Sequence, residues 1–119
     1  MLARIRVALR HSVGQKTEPL VEVDGLRIDL ERRVVTTSGH EVHLTPTEDD
    51  VLTYLVQLAG KVVTHRMLLQ EVWGPEHLEE TQYLHVVISQ LRRRIELEPT
   101  RPQYILTEAG VGHRFRLVD

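Results

Sequence analysis

Leu84-His85-Val86-Val87-Ile88-Ser89-Gln90-Leu91-Arg92-Arg93-Arg94-Ile95 is the stretch that decides the fold. Leu84, Ile88, Leu91 and Ile95 recur at helical spacing and form a continuous apolar stripe. A rotation of about 100° per residue puts Gln82, Val86, Ser89, Gln90 and Arg93 on the opposite face. That face is chemically mixed. Gln bonds adenine through two atoms, Arg suits guanine or a phosphate, and Val touches a thymine methyl. Arg92, Arg93 and Arg94 crowd the helix end. For Arg94 the helix dipole is reason enough; for Arg92 and Arg93, beside that polar face, phosphate or base contact is the better reading. Pro99 and Pro102 stop the helix.

Outward from this helix the period changes on both sides. Downstream, Tyr104–Thr107 and Arg114–Val118 read as two strands around Gly110-Val111-Gly112, a hairpin. Upstream lie two shorter helices. Thr45-Pro46-Thr47-Glu48 is a capping box with Pro in the first turn. Asp49 and Asp50 suit the helix dipole, and Val51, Leu52, Leu55 and Leu58 follow at helical spacing as far as Gly60. After the extended link Val62-Val63, Thr64 can cap a second helix through Leu68, Leu69, Val72 and Trp73, ended by Gly74-Pro75 and the loop Glu76–Glu80. Further upstream, Leu20–Val23, Leu26–Leu30, Arg33–Thr37 and Glu41–Leu44 alternate as strands, with Asp24-Gly25, Glu31-Arg32 and Ser38-Gly39 between them. Connections this short demand an antiparallel meander. The expected class is α+β: an N-terminal four-stranded antiparallel sheet, three helices and a C-terminal β-hairpin wing. This is the winged helix-turn-helix arrangement, in which the third helix enters a DNA major groove.

Composition narrows the function. The 119 residues carry 41% apolar and 27% charged side chains, which is globular usage. With no cysteine, thiolate zinc sites, disulfide scaffolds and cysteine nucleophiles are excluded. Aromatic residues at 4% disfavour a stacking platform for single strands. The net charge of −2 disfavours non-specific coating of nucleic acid. The charge is unevenly spread: four basic residues and no acid in 1–16, five basic and thirteen acidic in 17–80, six basic and four acidic in 81–119. A polyanion would meet the C-terminal third. Arg4, Arg6 and Arg10 are not followed by the apolar run of a signal peptide, and no run is long enough to cross a bilayer. A cytoplasmic location without membrane contact is the expectation.

Other signals are weak. His40 and His43 point to opposite faces of a strand and cannot share a metal. Asp49 and Asp50 are adjacent on a helix and do not converge. No helix follows Gly110-x-Gly112, so it is not a phosphate loop. Lys61 and Ser89 lack a base partner in any motif. No catalytic constellation emerges, and neither enzyme activity, a metal nor a cofactor is expected.

Leu44-Thr45-Pro46-Thr47-Glu48, Gly60-Lys61-Val62-Val63-Thr64-His65-Arg66, Glu71-Val72-Trp73-Gly74, Leu91-Arg92-Arg93-Arg94-Ile95 and Gly110-Val111-Gly112-His113-Arg114-Phe115 together resemble the effector domain of OmpR/PhoB-type response regulators. The resemblance spans residues 20–118. In Tyr83-Leu84 and Glu98-Pro99-Thr100-Arg101-Pro102 it is greatest to regulators of potassium-transport operons. Residues 1–13, with Leu2, Ile5, Ala8 and Leu9 on one face, resemble the last helix of a receiver domain. Residues 14–19 would be linker, and residues 20–119 the DNA-binding domain.

The resemblance implies base reading by Gln82, Val86, Ser89, Gln90 and Arg93. It implies phosphate contact by Thr64, Arg66, Trp73, Tyr83, Arg92 and His113; Arg114 joins them on the wing because Glu108 and Ala109 at the tip present no cation. It implies an RNA polymerase contact at Pro75, Glu76, His77, Leu78 and Glu79. It also implies control by a sensor histidine kinase acting on the receiver domain. The piece would be mainly monomeric and would pair on tandem half-sites of double-stranded DNA. Gln90 replaces a frequent Arg, so base preference should differ. Glu108-Ala109-Gly110 at the wing tip lacks the usual cation, which argues against minor-groove insertion. His113 replaces a frequent Tyr, which would make its phosphate contact pH-sensitive. The rival reading is a winged-helix protein-interaction module without DNA binding.

Overall fold

The computed structural model describes residues 20–116. The helix expected over residues 1–13, the linker at 14–19 and the end of the last strand beyond Arg116 lie outside the described residues. The described chain divides into two compact units that part between His43 and Leu44.

The first unit is the meander β1 (Leu20–Val23), β2 (Leu26–Asp29), β3 (Val34–Thr37) and β4 (His40–Val42), hydrogen-bonded in that order. All pairings are antiparallel. Val21 faces Ile28, Val23 faces Leu26, and Ile28 faces Val35. All five are buried, so strand alternation has produced one apolar face. Leu30 and Arg33, expected in strands, belong to a turn instead. The Asp29 carboxylate accepts from the Glu31 and Arg32 amides at 3.1 and 3.0 Å, and Arg33 takes a φ of 59°. Ser38 and Gly39 both have positive φ, as a two-residue hairpin turn requires, so β4 starts at His40 rather than Glu41.

The second unit holds α1 (Pro46–Gln57), β5 (Val63–Thr64), α2 (His65–Val72), a 3₁₀ turn (Pro75–His77), α3 (Thr81–Ile95), β6 (Ile105–Glu108) and β7 (Gly112–Phe115). The capping box is complete. Thr45 Oγ1 accepts from the Glu48 amide, and the Glu48 carboxylate accepts from the Thr45 amide. Thr64 Oγ1 likewise accepts from the Met67 amide at 3.1 Å, capping α2. The core joins Leu52, Leu55, Leu68, Leu69, Leu84, Leu91, Ile105 and Phe115, each at most 1% exposed.

The Val62-Val63 link proves to be more than a link. β5 pairs with β7, so the wing hairpin supplies two strands of a three-stranded sheet in the order β5-β7-β6, with β7 in the middle. Gly112 permits this pairing: a Cβ there would collide with the Val63 carbonyl oxygen. The hairpin strands are shifted from those expected, because Gly112 itself opens β7 and Glu108 closes β6.

Candidate nucleic-acid interface

α3 presents two faces of different chemistry. Leu84, Val87, Ile88, Leu91 and Ile95 are buried. Gln82, Val86, Ser89, Gln90 and Arg93, the residues expected to read bases, are all exposed, and with His85 they line one open surface. Val86 keeps 42% of its area in solvent, an apolar spot with polar neighbours on a free helix face.

The three consecutive arginines have three destinations. Arg92 turns to the wing. Its Nε and Nη2 donate to the Ile105 carbonyl at 3.2 and 2.9 Å, and Nη2 also donates to Thr107 Oγ1 at 2.6 Å. Burial lowers its pKa, and Glu96 opposes that shift. Arg94 turns the other way and its Nε meets Glu48 Oε1 at 2.8 Å, a tertiary partner that the helix-dipole reading did not foresee. Arg93 projects outward, with no ion pair among the described residues; Arg94, though paired, is also exposed beside it.

Two of the residues expected at phosphates are engaged inside the protein. Arg92 spends three N–H donors inside the protein, so its first task is to hold the hairpin. His113 is 4% exposed, on the same strand face as the fully buried Phe115. Its Nδ1 lies 3.2 Å from Thr107 Oγ1. Burial, reinforced by Arg92, His65 and His85, lowers its pKa to about 4. Its burial and its lowered pKa set it apart from the other residues expected at phosphates.

The remaining phosphate candidates stay at or near the surface. Thr64 and Arg66 stand at the start of α2. Trp73 and Tyr83 pack their rings 5.3 Å apart, fixing the end of α2 against the start of α3, and Tyr83 remains 47% exposed. Arg114 projects from the opposite face of β7 to His113, as alternation requires, but its Nε pairs with Glu108 Oε2 at 2.9 Å. The wing tip therefore offers less free positive charge than its sequence suggests. Between α2 and α3, Pro75, Glu76 and Glu79 are exposed, and His77 is joined to Glu80 at 3.1 Å.

One structural residue went unnoticed in the sequence. Glu96, 7% exposed, follows α3 and accepts from the amides of Gln103, Tyr104 and Ile105 at 2.7 to 3.2 Å. Its carboxylate pins the entrance of β6 to the end of α3.

The family described as transcriptional regulatory protein, C terminal, matches residues 39–115. The chain is similar to the KDP operon transcriptional regulatory protein KdpE of Escherichia coli, 46% identical over 116 residues that cover 97% of this chain and 52% of that protein. It is 45% identical to the transcriptional regulatory protein KdpE of Mycobacterium tuberculosis over 116 residues, 96% of this chain and 51% of that one. The chain thus spans about half the length of these curated relatives. Among solved structures, the response regulator DrrB of Thermotoga maritima, an OmpR/PhoB homolog, matches with a TM-score of 0.81 at 32% identity, covering 93% of this chain and 50% of that one. The DNA-binding domain of Klebsiella pneumoniae RstA, solved in complex with the RstA box, matches with a TM-score of 0.72 at 27% identity, covering 83% of this chain and 98% of that one.

Proposed function

The chain belongs to the transcriptional regulatory protein C-terminal family, the winged-helix effector domains of OmpR/PhoB-type response regulators, and from that premise we propose that it lays α3 in a DNA major groove to control transcription of a potassium-transport operon. One observation carries this reading. Arg92 is bonded to the wing and Arg94 to Glu48, whereas Arg93, with no ion pair among the described residues, projects beside Gln90, Ser89, Val86 and Gln82 on one exposed face. These five residues read bases. Thr64, Arg66, Trp73 and Tyr83 hold phosphates, and Arg114 adds a wing contact once it leaves Glu108.

One such helix reads only a few base pairs, too few to find one site in a genome. The protein therefore acts as a head-to-tail pair on direct repeats about one helical turn apart. The loop Pro75–Glu79 meets RNA polymerase. A receiver domain preceding this chain receives the signal of a sensor histidine kinase, and the whole works in the cytoplasm. No catalysis is assigned. No helix among the described residues is long and apolar enough to cross a membrane.

The second reading, a protein-interaction module, draws on the Glu108–Arg114 pair and the net charge of −2. A salt-titrated binding assay separates the two, with duplex from the region upstream of the protein's own gene against random duplex. DNA reading requires preference for the former and affinity for both that falls with salt. No binding to either duplex would leave the protein-interaction role; equal affinity for both would show DNA binding without sequence reading.

A further inference from the structure

We propose that His65, His85 and His113 form a binding site for a divalent transition-metal ion, with zinc as the ion whose ligand chemistry fits. The three imidazoles come from three elements: the first residue of α2, the exposed side of α3 and the middle of β7. They are twenty and twenty-eight residues apart in sequence, so no local spacing announces them. One ring nitrogen of each can be chosen so that all lie within 4.8 Å of one another. The ring centroids are 5.1 Å apart for His65 and His85, 5.2 Å for His65 and His113, and 6.4 Å for His85 and His113.

A second observation points inward to a ligand. His113 Nε2 is buried and has no hydrogen-bond partner among the described residues. Leaving a buried polar atom unpaired costs about 1–3 kcal/mol. Metal ligation uses that lone pair. The other nitrogen is already placed for it, because Nδ1 lies at Thr107 Oγ1, and Thr107 is itself held by Arg92 Nη2. A metal-bound histidine ordinarily donates its second N–H to such a partner, which fixes ring and tautomer.

The geometry asks for a small closure. Zinc–nitrogen bonds of about 2.0–2.1 Å in a tetrahedron set the nitrogens roughly 3.3 Å apart. His85 is exposed and can swing toward the other two. Imidazole ligands suit zinc, copper and nickel and disfavour magnesium and calcium. The Arg92 guanidinium adjoins His113 and opposes further positive charge, so binding is weaker than at a thiolate site. An ion here would cross-link α2, α3 and the wing.

The test is calorimetric titration of the chelator-washed chain with zinc chloride, followed by cobalt(II) absorption spectra. The expected result is one ion per chain, a cobalt spectrum of tetrahedral type, and a thermal midpoint that rises with zinc. His85→Gln should weaken zinc binding at least tenfold while leaving the midpoint in chelator unchanged, since that side chain is exposed. Thr107→Val should weaken it about tenfold through the lost second N–H partner. His77→Gln, on the distant loop, should change nothing. Zinc binding unaltered by His85→Gln, abolished by His77→Gln, or absent from the parent would each overturn the assignment. These readouts need no DNA, so they stand or fall separately from the DNA-binding function.

Discussion

Arg94 Nε lies 2.8 Å from Glu48 Oε1, so the last turn of α3 is bonded to the capping box that starts α1. Glu48 is 1% exposed, and one oxygen serves both the Thr45 amide and the arginine. A charge buried this deeply needs its counter-ion more than a surface acid does.

Arg94→Ala should therefore destabilise the fold by about 1–3 kcal/mol, between the worth of an exposed pair and that of a buried one, because Arg94 itself is partly in solvent. Urea denaturation reads this directly. A midpoint equal to that of the parent would mean the capping hydrogen bond alone satisfies Glu48.

The neighbouring arginine should behave oppositely. Arg93→Ala and Gln90→Ala should leave stability within about 0.5 kcal/mol, as exposed substitutions do. Each should weaken specific DNA binding by about 1–3 kcal/mol if a two-atom base contact is lost. For Gln90→Ala, random-duplex binding should change less. Parental affinity in both variants would show that α3 does not dock as proposed.

At the wing, the salt slope is the readout. Each phosphate neutralised contributes about −0.9 to the slope of log affinity against log salt. Ala109→Arg should tighten binding and steepen the slope by about that amount. Glu108→Ala, which frees Arg114 from its 2.9 Å pair, should act in the same direction. Arg114→Ala should make the slope shallower by about one unit at most. If none of the three moves either quantity, the hairpin tip stays away from the DNA.

His113 predicts a pH dependence in metal-free, chelator-containing buffer. An unfolded histidine titrates near 6.5, whereas burial, with Arg92, His65 and His85 beside it, lowers the folded value to about 4. Between these values the unfolded chain holds the proton and the folded chain does not. The stability is complete above pH 6.5 and is lost progressively as pH falls toward 4, by at most about 3 kcal/mol. Carboxylates also titrate near the bottom of this window, so the comparison is with His113→Tyr. That variant should lose less stability from pH 7 to pH 5. Equal losses in the two proteins would acquit the buried histidine.

The elements legible in the sequence are those with local causes. The Leu84–Ile95 stripe, the Thr45 capping box and the Ser38-Gly39 turn each state their structure within a few residues, and each formed as expected. The exposed face of α3 was legible for the same reason. Features that depend on remote partners were not. Val63 looked like a connector because its strand partner, His113, lies fifty residues away. Arg92, Arg93 and Arg94 look alike in sequence, and only the positions of Ile105 and Glu48 separate them. Glu96 reads as one more surface acid until the amides of Gln103, Tyr104 and Ile105 arrive around it.

The bond from Arg92 to the Ile105 carbonyl ties α3 to the wing, and under the proposed docking the two would be the jaws of a caliper whose opening is set before any DNA arrives. Such a pre-set opening would select duplexes by groove width as well as by base, since a narrower or wider groove would meet only one jaw at a time. Little ordering entropy is then lost on contact. Lengthening the tip around Ala109 would extend one jaw without altering the gap at the hinge, whereas shortening the side chain at residue 92 would loosen the hinge and leave both jaws intact.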